Sequence, residues 1–534
     1  MIKTIVVLGA LGWCCWSCNK EMVPVEPYGP GKEPLGITLN RNQTPTPASG
    51  LPGTEVTINA SGLLPFREEL VFRFNGELAQ IVEVTETQIK VIVPDFASTG
   101  VTTVSVGDVV VFGPKFSVAG KINLDPTFNA PRGTNGRVDR VIWTEDGRML
   151  VVGDFTNYDN KGVIRPINRI ARAFSDGSYD ASLRSGSGAN GSLRDIVPFN
   201  NGYLISGSFS GYSQRTGDIS NLTHLNANGT IDTMGIHPFR RPDQADTIKY
   251  YPRFNGGFDG FVGKIYPQGN KVVVGGGFRY YISRRYDKPN RLETRDSVIM
   301  DSVEVRQLAR LHADGKLDST FRFDQGTQKF FQGGNGDAYT VVHDSGPHQG
   351  KFMVYGNFRQ FDGRPFGRIL RLNADGTIDE TFNPDGTGAD QLISKLFYNA
   401  TTRKYVIAGD FRNYNGRHAN RLAVLNEDGT LDESFVAKPF DGGAPNFAKQ
   451  LTDGKIIVSG DFRTYNGVAR NGFMVLDESG DLIPGYNATG IFSGTIEDIV
   501  ETTAQDGRRA LLIYGEFTQF NSEDAFNYIR VIIE

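Results

Sequence analysis

Residues 407–416 read IAGDFRNYNG, and residues 458–467 read VSGDFRTYNG. Five further copies occur: VVGDFTNY from Val151, ISGSFSGY from Ile205, VGGGFRYY from Val274, VYGNFRQF from Val354 and IYGEFTQF from Ile513. Their shared glycines are Gly153, Gly207, Gly276, Gly356, Gly409, Gly460 and Gly515, in steps of 54, 69, 80, 53, 51 and 55. A repeat of this period, with no helical apolar stripe in any copy, predicts a ring of small sheets and not a helical solenoid. Each unit reads as four strands, typified in turn by SLRDIVPF (Ser192), GKIIVSGDF (Gly454), NRLAVLN (Asn420) and TLDESF (Thr430). The array opens at Ile122 with INLDPTF, a fourth strand lacking the first three. It ends on FNYIRVIIE, a third strand lacking a fourth. The opening strand therefore completes the last unit and removes the free sheet edges. The prediction is all-β: a seven-bladed β-propeller over 121–534, closed by an N-terminal strand.

A second phrase recurs between strands three and four: LNADGTIDETF at Leu372, LHADGKLDSTF at Leu311 and LNEDGTLDESF at Leu425. Asp-Gly and Asn-Gly accept the positive φ of a tight hairpin. Asn373, Asp375 and Asp379 also have the spacing of part of a calcium loop. The position two before that Asn, or its counterpart, holds Arg371, Arg310 or Val424, where a calcium loop carries its first Asp. The phrase is therefore read as a turn, and calcium or any other cofactor is not expected. Asp154, Asp410, Asp461 and Glu516 share one repeated place, filled elsewhere by Ser208, Gly277 and Asn357. Such symmetry argues for structure over catalysis, and the Phe that follows each is read as packing between units.

Residues 35–119 follow a different grammar, with period-two alternation and turns, as in TEVTINASG and ELVFRFNGELAQIVEVTETQIKVIVP. That pattern predicts a small β-sandwich. Gly50 and Gly53 before VTINASG, Phe74-Asn75-Gly76, Ile89 to Pro94 and Gly113-Pro114-Lys115-Phe116 resemble the IPT/TIG immunoglobulin-like family. That resemblance implies a spacer or interaction module. The seven units resemble an uncharacterised family of bacterial β-propeller repeats found in secreted and lipid-anchored proteins.

The three cysteines, Cys14, Cys15 and Cys18, all lie in the opening MIKTIVVLGALGWCCWSCNKE. Lys3 and the short apolar run Ile5 to Trp13 suit a signal peptide and are too short for a permanent span. Residues 1–17 are read as a lipoprotein signal peptide and Cys18 as the lipidated residue, preceded by the small Ser17. Residues 18–34 are read as a flexible tether, rich in Pro, Gly and charge. With Cys18 lipidated, thiol catalysis, cysteine metal sites and disulfides all drop out.

Fifty-six basic residues against 60 acidic give a net charge of -4, which supplies no pull toward nucleic acid. Contact with a membrane is expected through the lipid anchor only. The six histidines form no HExxH or paired metal spacing, and no GxSxG elbow or P-loop occurs. No catalytic residue and no metal ligand is predicted. Function is expected where the repeat breaks, in the insertions Ile236 to Gly260, Arg279 to Gln307 and Arg322 to Asp337 on one face of the ring. The candidate ligand-binding residues are Tyr250, Tyr251, Arg253, Tyr280, Tyr281, Arg284, Arg285 and Tyr286, because Tyr and Arg are favoured at binding surfaces. The alternative is a self-packed cluster of loops. The whole layout resembles accessory surface lipoproteins of Sus-like nutrient importers. That resemblance implies an outer-membrane, outward-facing, non-catalytic protein capturing a glycan or peptide beside a TonB-dependent transporter and its partner lipoprotein. A structural or adhesive surface protein, or a propeller glycosidase or lyase with unrepeated carboxylates around its channel, are the other readings.

Overall fold

The computed structural model describes residues 35–534, so the signal peptide, Cys18 and the tether lie outside the described residues. No helix among the described residues is long and apolar enough to cross a membrane. The chain is all-β and falls into two parts with separate cores.

The first part is an eight-stranded sheet between Thr38 and Val118, largely antiparallel, folded around one apolar cluster. Alternation sets the faces: along Glu55–Ser61, Val56, Ile58 and Ala60 point inward while their neighbours stay solvated.

From Ile122 onward the described residues form seven antiparallel meander sheets, one per sequence repeat. The first uses Val138–Trp143, Met149–Gly153 and Ile170–Ala173, and the fifth uses Ile393–Asn399, Lys404–Gly409 and Leu422–Leu425. In the last, Ser493–Thr503, Arg509–Phe520 and Tyr528–Ile533 are joined by Ile122–Leu124, with Val531 opposite Leu124 and Ile533 opposite Ile122. The second strand of each unit reads as an unbroken apolar run because both of its faces are covered. In the fifth unit Tyr405 and Ile407 pack toward the fourth sheet, Val406 and Ala408 toward the sixth. A separate apolar cluster fills each gap between neighbouring sheets, including that between the seventh and the first. There Leu512, Tyr514 and Tyr528 meet Val138, Val141 and Val151.

The repeated glycine has a steric cause. A Cβ at Gly153, Gly207, Gly276, Gly356, Gly409, Gly460 or Gly515 would lie 2.0–2.2 Å from a carbonyl oxygen in or just before the innermost strand, so only hydrogen fits. The predicted fourth strand is shorter than the sequence suggests. In units one to six it is a lone bridge, such as Leu372 to Ile378, and side chains make up the pairing. The third-strand Arg371 donates from Nε to Asp379 in TIDETF at 2.6 Å. Arg172–Asp180 and Arg310–Asp318 repeat this at 2.7 Å. Arg530 and Asp125 close the ring with the same latch, at 2.5 Å and almost wholly buried.

The Asp-Gly phrase is a turn. Gly376 has φ +86° and Gly429 +86°, while Asp375 accepts from the Thr377 amide at 3.0 Å and its hydroxyl at 2.7 Å. The turn carbonyl is then taken from within the unit. The hydroxyls of Tyr158, Tyr212, Tyr281, Tyr414 and Tyr465 donate to Gly177, Gly229, Gly315, Gly429 and Gly480 at 2.6–2.9 Å.

The two parts are docked. Thr99 N donates to Ala488 O at 2.8 Å, Ala469 N to Glu77 Oε1 at 2.6 Å, and buried Arg470 to Phe96 O at 3.0 Å. Ala488 is part of the first core.

Candidate functional site

The first two insertions meet, as their shared face requires, and they bond mostly to each other. Phe239 N donates to Tyr286 O at 2.6 Å and Lys249 pairs with Asp296 at 2.6 Å. The rings of Tyr251 and Tyr286 lie against each other, tilted by 31° with centroids 3.9 Å apart, and Tyr286 is buried. Tyr281 is a correction: it is 5 % exposed, and its hydroxyl serves the Gly315 turn carbonyl, so it is core and not a surface contact. Arg284 directs its guanidinium to Asn255 O and to Ser220 Oγ at 3.1 Å, and Arg253 pairs with Asp232 at 2.6 Å. Burial pulls the Arg284 guanidinium below its usual range. Tyr250, Tyr280 under the Arg279 guanidinium, and Arg285 between Asp287 and Asp301 remain at the surface. The eight residues therefore share a region in which Tyr281 and Tyr286 are buried while Tyr250 and Arg285 are exposed.

A groove of about 870 Å³ opens elsewhere, between the fourth and fifth sheets, on the same loop-bearing face. One wall is the connection from strand two to strand three of unit four, with Arg359, Arg364, Phe366 and Arg368. The other is the link into unit five, with Asn383 and Asp390, joined by Asn413 from beyond strand two of that unit. Gly367 and Gly388 form its floor, so close that a Cβ on Gly367 would sit 1.7 Å from Thr387 O.

The carboxylates of this groove are all committed. Glu380 is held by Arg364, with Nη2 to Oε2 at 3.0 Å. Asp379 accepts from Lys351, Arg371 and Thr381; burial works to raise it, but these bonds outweigh burial and hold it well below the usual range. Asp390 accepts from the amides of Arg412 and Asn413 at 2.9 and 3.1 Å. Asn135, Asn190, Asp259 and Asn335 do the same in other units.

The cations are less settled. Arg368 is 6 % exposed, with left-handed φ +66°. Its Nη1 donates to Ala389 O at 2.9 Å, while Nε has no partner. Burial, then the neighbouring charge of Arg359, lower its guanidinium from the usual range.

A third constellation lies on the ring axis. The innermost strands of six units carry a bulge at one place, after Val138, Leu193, Val262, Ile393, Pro445 and Ile496. Bulges re-aim side chains. At this level Asp139 bridges Arg137 at 3.0 Å and Arg194 at 2.9 Å, and Lys395 of the fifth unit reaches Glu497 of the seventh at 2.9 Å. Burial raises the Asp139 carboxyl to about 7, against the pull of Arg137, with the Glu497 charge adding to the rise. Among the described residues no group of three or more His, Cys, Asp or Glu is placed to hold a metal ion.

Residues 11–114 match the domain of unknown function DUF5008. Residues 144–183, 296–321, 350–382, 402–435 and 451–482 match DUF5122, a β-propeller domain of unknown function. No curated protein matches it. Similar solved structures include a protein of unknown function from Bacteroides thetaiotaomicron VPI-5482, at 12% identity over 93% of this chain and 99% of that one, TM-score 0.26. An auxiliary nutrient binding protein from Bacteroides ovatus ATCC 8483 aligns at 14% identity over 70% and 94%, TM-score 0.20. A mutant of a puromycin hydrolase aligns at 13% identity over 76% and 54%, TM-score 0.37.

Proposed function

We propose that the protein captures a soluble glycan or peptide without catalysis, as an accessory component of a Sus-like importer. In this reading residues 1–17 are cleaved and Cys18 carries the lipid. The 18–34 tether leads to an IPT/TIG-like sandwich over 35–119, and a seven-bladed propeller over 121–534 faces outward from the outer membrane. A TonB-dependent transporter and its partner lipoprotein are the partners. The observation that carries the binding role is the groove between the fourth and fifth sheets. It is large enough for a small ligand, lined by polar groups and the rings of Phe366 and Phe382, and its three carboxylates are all held by other residues. Such a lining suits recognition and leaves no free acid or base.

A second reading, a glycosidase or lyase, is favoured by the Asp139 carboxyl at about 7 beside Glu497 on the axis. Against it, one Asp139 oxygen meets Arg137 and the other Arg194, so neither is free to pass a proton to a substrate. Affinity purification of the lipidated protein from its own membrane, with mass spectrometry, tests the importer reading. Co-recovery of a TonB-dependent transporter and a second lipoprotein is expected; recovery of the protein alone counts against it.

A further inference from the structure

An Nε without a hydrogen-bond partner is common to Arg169 and Arg368, so what distinguishes the fourth unit is the acid beside the guanidinium. Arg169, Arg368 and Arg421 occupy one left-handed place before strand three, at φ +67°, +66° and +68°. In the first and fifth units the acid of the glycine phrase stands beside it: Asp154 lies 3.5 Å from Arg169, and Asp410 lies 3.4 Å from Arg421. The fourth unit keeps the arginine and replaces the acid by Asn357. Among the described residues no carboxylate lies within 4.0 Å of Arg368. Asp390, the nearby acid, is engaged by two amides and the Asn413 side chain. Arg359 adds a second positive charge and forms no ion pair among the described residues. A buried cation that no carboxylate touches, with only the charge of Asp390 nearby, is under-compensated, and an incoming anion relieves it. The groove of about 870 Å³ opens at this guanidinium.

We propose that this groove binds the carboxylate of an acidic ligand, which takes at Arg368 the place that Asp154 and Asp410 hold in the sister units. Arg359 supplies the second cation and Phe366 an apolar wall. The planar fork of arginine favours a carboxylate held by two parallel bonds. This rests on the capture reading and narrows it to acidic ligands, either uronate-bearing glycans or peptides with a free C-terminal carboxylate.

Calorimetry on the full lipidated chain in detergent tests it with two matched pairs. These are trigalacturonate against its methyl ester, and hexaglycine against hexaglycine amide. At least one acid is expected to bind about tenfold or more tightly than its neutral partner. Arg368→Gln should abolish that preference. Asn357→Asp should also abolish it, by restoring the internal partner, while the melting temperature holds or rises. This second variant separates lost binding from lost folding. The pair that shows the preference identifies the source of the carboxylate. Equal binding within both pairs, no binding of either acid, or a preference that survives Asn357→Asp overturns the proposal. Equal binding within a pair would leave capture itself standing, since that is judged by the membrane partners recovered.

Discussion

One hydroxyl group ties each turn to its unit, and the exceptions show that it matters. Tyr414 donates to Gly429 O at 2.8 Å inside a fully buried site. Unit four has Phe361 at this place, and the buried Arg322 supplies the missing donor, Nη1 to Gly376 O at 3.0 Å, with its guanidinium 4.8 Å from the Phe361 ring. Unit seven has Phe520, and there the strand beside strand three arrives from Ile122. Tyr414→Phe should therefore cost about 1–3 kcal/mol, the range for leaving a buried carbonyl unsatisfied. Phe361→Tyr should gain nothing, because Arg322 already fills the role. Urea unfolding of both variants checks this, and equal effects would sink the account. At this scale the turn aspartates are legible from their spacing. Tyr281 is not the surface contact its neighbours suggest, although the sequence carries the signal. It follows Phe278 by three, as Tyr414 follows Phe411, and the symmetry that marks the repeated acids as structural marks this tyrosine too. The unmatched Arg368 and Asn357 pair is likewise visible on aligning the units, but only the structure shows that a groove opens beside it.

Strands depend on side chains where backbone pairing is short. With the fourth strand reduced to one bridge, the Arg–Asp latch holds it, and the sixth unit swaps both members together, to Val475 and Ile483. An apolar pair can replace a buried ionic one at little loss, but half a pair cannot. Arg371→Met, which leaves Asp379 to Lys351 and Thr381, should cost about 1.5–3 kcal/mol, the range for a lost bond to a charged group. Lys404→Met, at a more exposed partner of Asp432, should cost below about 1 kcal/mol. The latches also set an acid limit. Burial raises Asp318 and Asp379, but Lys271 and Lys351 with the arginines outweigh it and leave both well below their ordinary value near 4. A depressed folded value means stability complete above about pH 5 and lost as pH falls through 4 and lower. Urea midpoints at pH 6, 4 and 3 should fall steeply for the wild type and less for Arg371→Met; a flat profile would refute the latch. Strand order is legible from sequence because both faces of strand two are buried, giving apolar runs such as YVIAG. The axial bulges are not, since a bulge leaves no mark when the residue it re-aims is Asp139 in one unit and Gly263 in another.

The ring as a whole closes on one latch, between segments from its two ends. Asp125→Ala would leave Arg530 buried without its carboxylate, at an expected cost of about 3–5 kcal/mol. Hydrogen exchange should then speed up first along Tyr528–Ile533; unchanged protection there would argue that apolar packing alone seals the ring. Closure is legible because the two incomplete ends of the repeat complement each other. Docking of the first domain is not, since Glu77 and the Ala469 amide carry no pattern that pairs them. The closing contact has a further consequence in time. Asp125 and Arg530 are 405 positions apart, so the ribosome makes the closing strand at the outset of the ring and its neighbour last. Six units can fold as they emerge, while Ile122–Leu124 waits with its backbone groups unmatched. A nascent chain cut short within the seventh unit therefore leaves an open ring with raw edges, however sound the rest, and presents proteases with a mark of unfinished synthesis.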